Sequence, residues 1–128
     1  MNIPAAENLH LHEENAEVCI PFEYNLNDKG CLFAGSIYAG AIVAAYRAAE
    51  CGFSEGGLSG HLVAKTASIS YLKSIVSGGR ATAVACGAPL RKANGNHTLT
   101  VKAVVSNAAG VPCAEVTAEF VLLAKRGV

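Results

Sequence analysis

Between residues 25 and 31 the chain reads NLNDKGC, which sets two side-chain amides (Asn25, Asn27), a carboxylate (Asp28) and a thiol (Cys31) side by side. A side-chain amide can donate to a carbonyl and accept from a water together. A carboxylate is the default base, and a thiol becomes a nucleophile when a base ionises it. Each also has a plainer use: Asn and Asp close turns and cap helices, and a buried Cys acts as a small hydrophobe. Asp28 is the one carboxylate of the segment, and no histidine adjoins Cys31 in sequence. His61 and His97 open later strands and reach the segment only if folding brings them there. His10 and His12 lie in a polar stretch where a metal ion would lack further ligands, so no metal is expected.

These groups precede an uncharged run from Cys31 to Tyr46, rich in Gly and Ala, that ends at Arg47. Sixteen residues fall short of the roughly 20 that cross a bilayer. The turn-forming opening predicts a helix from about Leu32 to Glu50, with Gly52 as its stop. A helix apolar around most of its girth must be buried on several sides. At its start the amides of Ala34, Gly35 and Ser36 point out of the positive end, and the small residues admit close approach. The same Ala-Gly pair also serves tight packing.

The material to cover that helix follows it. Residues 62–75, 79–88, 97–107 and 112–124 are rich in Val, Thr and Ile and largely alternate, as half-buried strands do. Leu99, Val101, Ala103 and Val105 form one face of the third, and Val116, Ala118, Phe120 and Leu122 one face of the fourth. Ser77-Gly78-Gly79, Asn94-Gly95-Asn96 and Ala109-Gly110 punctuate them at hairpin spacing. Residues 16–24 add a strand before the helix, with Pro21 favouring an edge or bulge. The expectation is a single α+β domain over residues 1–128, a curved antiparallel sheet around one long helix, with residues 1–15 peripheral.

The 128 residues suit one hydrophobic core, and ten basic residues balance ten acidic ones. That balance speaks against nucleic acid and anionic membranes as partners. Five dispersed cysteines without a CxxC pair argue against a disulfide framework or a structural zinc site and suit a reducing cytoplasm. The polar residues after Met1 lack the pattern of a signal peptide.

The element order, and FAGSIY (Phe33 to Tyr38) behind Asn25-Leu26-Asn27, ISYL (Ile69 to Leu72) and the stretch from Leu90 to Lys125, resemble the hotdog fold of acyl thioester enzymes. The likeness is to the thioesterase domain of the YiiD C-terminal type. It implies hydrolysis of an acyl thioester of coenzyme A or acyl carrier protein by water, no cofactor, and a homodimer or dimer of dimers. By place in the motif Gly35 is the oxyanion donor, Asn27 matches the Asn that orients substrate or water, and Asp28 and Ser36 stand beside them. Asn25, Phe33 and Ala34 would line the substrate, and Arg91 and Lys92 lie where hotdog enzymes offer cations to coenzyme phosphates. Two departures are visible. Ile42 stands where phenylacetate-type thioesterases carry a helix carboxylate, and Thr66 and Ser68, expected among the substrate-binding residues, stand where YiiD relatives place an acid and a histidine. These departures keep a non-catalytic acyl-thioester binding module as the alternative. A hotdog hydratase ranks third, because Phe33 stands where a histidine would help.

Overall fold

The computed structural model describes residues 2–124; Lys125, the end of the last stretch compared above, lies outside them. A short helix α1 (Pro4–Asn8) and strands β1 (His12–Glu14) and β2 (Glu17–Ile20) precede the long helix α2 (Ala34–Glu55). Strands β3 (His61–Tyr71), β4 (Gly79–Ala85), β5 (Leu90–Arg91), β6 (His97–Ser106) and β7 (Pro112–Leu123) follow. They form one antiparallel sheet in the order β1-β2-β4-β6-β7-β3, with β5 paired to β6. The sheet curves around α2 in the hotdog arrangement.

Helix α2 has 22 residues and spans about 33 Å. Ile37, Ala41, Ala45, Ala49 and Phe53 bury one side of it in a core shared with Leu99, Val101, Val105, Val116, Ala118 and Phe120. Burying each larger apolar side chain contributes about 1.5–3 kcal/mol. Gly52 does not stop the helix. It sits under β6, where a Cβ would come 2.6 Å from Leu99 Cδ2, so it is a packing residue. The helix runs on to Glu55 and ends at Gly56 and Gly57, the latter at φ +73°. At Gly40, likewise, a Cβ would collide with Ile20 Cδ1.

Two of the three expected turns close hairpins. Asn94 Oδ1 accepts the Asn96 amide (2.9 Å) between β5 and β6, and Asn107 Oδ1 accepts those of Ala109 and Val111 (3.0 Å each) between β6 and β7. Ser77-Gly78-Gly79 does not. Strand β3, of 11 residues, pairs with the 12-residue β7, from His61 opposite Leu123 to Tyr71 opposite Ala114, whereas β4 offers only 7. The segment after β3 therefore crosses to the far side of the sheet, burying Ile75 on the way.

Residues 4–14, expected outside the core, put Ala6 and Leu11 into it and supply the edge strand β1. Strand β3 is the other edge and, unlike β6 and β7, buries no residue fully. No helix among the described residues is long and apolar enough to cross a membrane.

Candidate active site

The polar residues ahead of α2 fold into a miniature hairpin. The Phe33 amide donates to Asn25 O (2.8 Å), Leu26 bridges Leu32, and the Asn27 amide donates to Cys31 O (2.8 Å), with Gly30 at φ +77° in the turn. The Leu32 amide donates to Ile75 O (2.8 Å), tying the hairpin to the crossing segment. The chain then enters α2 through Phe33, whose extended backbone caps the helix without any side-chain hydrogen bond. The polar residues thus build the approach to the helix and do not cap it.

This arrangement decides what each side chain can do. Asn27 Oδ1 accepts the amides of Lys29 (2.8 Å) and Cys31 (2.9 Å), which uses both lone pairs and leaves Nδ2 as a donor. Asn27 therefore cannot donate to a carbonyl and accept from a water together, as its side chain alone suggests. Asn25 is buried and spends Nδ2 on the carbonyls of Leu9 and Pro21 (2.8 Å each), holding the N-terminal segment against the hairpin. Asp28 lies at the exposed tip beside Lys29 Nζ (3.3 Å).

At the helix start, the Ser36 and Ile37 amides both donate to Phe33 O (3.0 Å each). The amides of Ala34 and Gly35 have no protein acceptor among the described residues, so two free donors remain, not the three expected. Ala34 and Gly35 are exposed, while Ser36 is buried and turned inward. The half-exposed Phe33 ring lies over Gly35, with Cε2 2.5 Å from where a Cβ would sit. The Tyr71 hydroxyl donates to Ala34 O at 2.8 Å, fixing the end of β3 to the start of α2. Burial pushes the Tyr71 phenol up from its ordinary value, and the neighbouring Tyr38 adds to the rise, so Tyr71 is a donor and not a base near neutrality. Sequence reasoning missed both tyrosines, although Tyr71 stands in ISYL and Tyr38 closes FAGSIY.

Other candidates lie elsewhere in the protomer. A bulge at Lys65 inverts the inside-outside alternation of β3: Leu62 and Ala64 face Leu122 and Phe120, but Thr66 and Ser68 face Glu119 and Thr117 on the outer surface. Neither hydroxyl points toward the helix. Arg91 pairs with His97 at the opposite end of the sheet, with Lys92 next to it and His61 nearby at the start of β3. About ten strand residues, roughly 33 Å, separate that end from Tyr71. Among the described residues no histidine hydrogen-bonds Cys31, whose Sγ lies 4.0 Å from Lys29 O.

A family model described as "putative thioesterase (yiiD C-terminal)" matches residues 2–124. The chain belongs to that family. Solved structures share its fold at low identity. A Shewanella oneidensis protein described as a "putative thioesterase" superposes with TM-score 0.78 at 20% identity, over 95% of this chain and 89% of that one. A Bacillus halodurans protein crystallised with CoA gives 0.74 at 17%, over 96% and 78%. A Haemophilus influenzae thioesterase gives 0.68 at 14%, over 94% and 82%. No curated protein matches the chain. The free amides of Ala34 and Gly35 form the candidate centre, and Asn27 lies on the hairpin before them, paired with Cys31.

Proposed function

We propose that the protein hydrolyses an acyl thioester of coenzyme A or acyl carrier protein by direct attack of water. The observation that carries this is the pair of unpartnered amides at the exposed start of α2. A carbonyl oxygen placed there meets two N–H donors and the positive end of a 22-residue helix dipole. Each such donor is worth on the order of 3 kcal/mol as negative charge develops on the oxygen. Water adds to the carbonyl carbon, the C–S bond breaks, and the departing thiolate takes up the proton that the water loses. A thiolate of pKa near 8.5 leaves without strong acid assistance. Asn27 Nδ2 donates to the attacking water and holds it on the carbonyl face, Tyr71 braces the helix start, and Phe33 must swing off Gly35 as substrate enters.

The functional unit of this proposal is a homodimer in which β3 pairs antiparallel with its copy. A long edge strand without a fully buried residue is an aggregation hazard unless it is covered. Strand β3 runs antiparallel to α2, because its last residue meets the helix's first. Pairing two copies of β3 therefore brings the partner's His61 end alongside this helix start. The partner's Arg91 and the partner's Lys92 then stand about four strand spacings away, roughly 15–20 Å. That separation suits phosphates at the far end of a coenzyme arm. Five free cysteines agree with a cytoplasmic setting.

The test is thiol release from a panel of acyl-coenzyme A and acyl-phosphopantetheine substrates, with Gly35→Val beside the parent. Turnover by the parent and its loss in a folded Gly35→Val support the reading, and undiminished turnover in the variant moves the oxyanion site elsewhere. A binding module remains the second reading, favoured because no carboxylate or imidazole among the described residues hydrogen-bonds the helix start. Acyl-coenzyme A binding without turnover selects it.

A further inference from the structure

The sheet edge opposite β3 gathers a second set of chemistry-bearing side chains. Strands β1 and β2 are joined by a two-residue turn in which Asn15 (φ 52°) and Ala16 (φ 64°) both adopt left-handed backbone, the type I′ geometry of tight hairpins. That turn sets His12 opposite Cys19 and Glu14 opposite Glu17. His12 and Glu14, two apart on one strand, and Cys19 across from His12 therefore project from one face. It is the outer face, since Val18 and Ile20 on either side of Cys19 belong to the core. Glu14 Oε2 lies 3.8 Å from both His12 Nε2 and Cys19 Sγ, and all three ligand atoms lie within 4.8 Å of one another. Donors around a tetrahedral zinc ion stand roughly 3.3–3.8 Å apart, given its bond lengths to N, O and S. Small rotations of two exposed side chains close the difference.

A second observation concerns the other nitrogen of His12. Nδ1 lies 3.3 Å from the carbonyl oxygen of His10, which can only accept; with the proton on Nδ1 that contact is a hydrogen bond and Nε2 is left to act as a ligand. Metal-binding histidines are oriented by such a bond from their non-ligating nitrogen. The carbonyl is itself anchored: His10 sits at φ 58° with its ring stacked on Tyr24 at 3.7 Å. Cys19, although it faces outward, is only 8% exposed. Its thiol donates to Glu14 Oε2.

We propose that His12 Nε2, Glu14 Oε2 and Cys19 Sγ bind one borderline-soft divalent transition cation, zinc foremost, with water in the fourth position. The thiol and imidazole exclude magnesium and calcium, which prefer all-oxygen sites. On binding, the S–H proton passes to solvent as the sulfur–metal bond forms, so one proton leaves per cation. Thiolate and carboxylate together neutralise the ion, and the bound metal clamps β1 to β2.

The test uses the full chain without any histidine tag, kept reduced, with Co2+ as the spectroscopic probe and Zn2+ as competitor. The expected result is one Co2+ per chain with a thiolate-to-cobalt charge-transfer band, release of one proton, and erasure of the band by Zn2+. Cys19→Ala abolishes the band, and His12→Ala and Glu14→Gln weaken Co2+ binding by about tenfold or more. The absence of a band overturns the proposal, as does a band that survives in Cys19→Ala, which would belong to another cysteine. His12 is half-exposed and outside the core, so His12→Ala stays folded and decides the matter alone: unchanged Co2+ affinity refutes the site.

Discussion

Replacing Asn27 in two ways separates its part in the loop from its part in the chemistry. The oxygen of Asn27 accepts two backbone amides, at 2.8 Å from Lys29 and 2.9 Å from Cys31. At about 1 kcal/mol net for each hydrogen bond, Asn27→Ala should cost roughly 1–2 kcal/mol of stability. Asn27→Asp keeps an acceptor in the same place, and its charge lies near the positive end of α2, so stability should stay within about 0.5 kcal/mol of the parent. The aspartate, however, lacks the Nδ2 donor and sets a negative charge beside the developing oxyanion. Its kcat/KM should fall by about 100-fold or more, within the range of positioned polar groups. Urea unfolding and thiol release from acyl-coenzyme A, measured on both variants, complete the comparison. Near-parental kcat/KM in Asn27→Asp, with Asn27→Ala losing activity only as it loses fold, would refute the chemical role and leave Asn27 a loop builder.

Cys31→Ala should leave kcat/KM within a few-fold of the parent, because no histidine among the described residues hydrogen-bonds the thiol; an acyl group found on Cys31 by mass spectrometry would overturn water attack. Tyr71→Phe removes the 2.8 Å bond to Ala34 O and should cost about 1 kcal/mol in urea unfolding, with a reduced kcat. Gly52→Val, with no room beside Leu99, should destabilise by about 1–3 kcal/mol through overpacking, readable by thermal unfolding. Cys19 and Tyr71 are both pushed up in the fold, so the unfolded chain ionises first as pH rises. Metal-free stability should be fully present below the ordinary thiol value of 9.0 and decline above it, and Cys19→Ala should remove the earlier part of that decline.

The uncharged apolar run of residues 31–46 and the alternating strands that follow already dictated a buried helix inside a curved antiparallel sheet. Burial leaves a period in the sequence, and period is local. The hairpins at Asn94-Gly95 and Asn107 to Gly110 were legible for the same reason, since side-chain oxygens close those turns on their own neighbours. Gly52 was misread because a glycine inside a helix and one beyond its end look alike until Leu99 is seen packed against it. Thr66 and Ser68 depended on a bulge at Lys65, a single extra residue that turns the rest of β3 inside out while leaving its composition unchanged. Which end of the molecule holds Arg91, which strand partners β3, and whether Asn27 has a free lone pair are all outcomes of pairing between distant segments. So is the meeting of His12 and Glu14 with Cys19. The sequence by itself determined what must be buried; the tertiary structure decided which polar groups meet, because a hydrogen bond or ligand set depends on ångström-scale placement that no local period encodes.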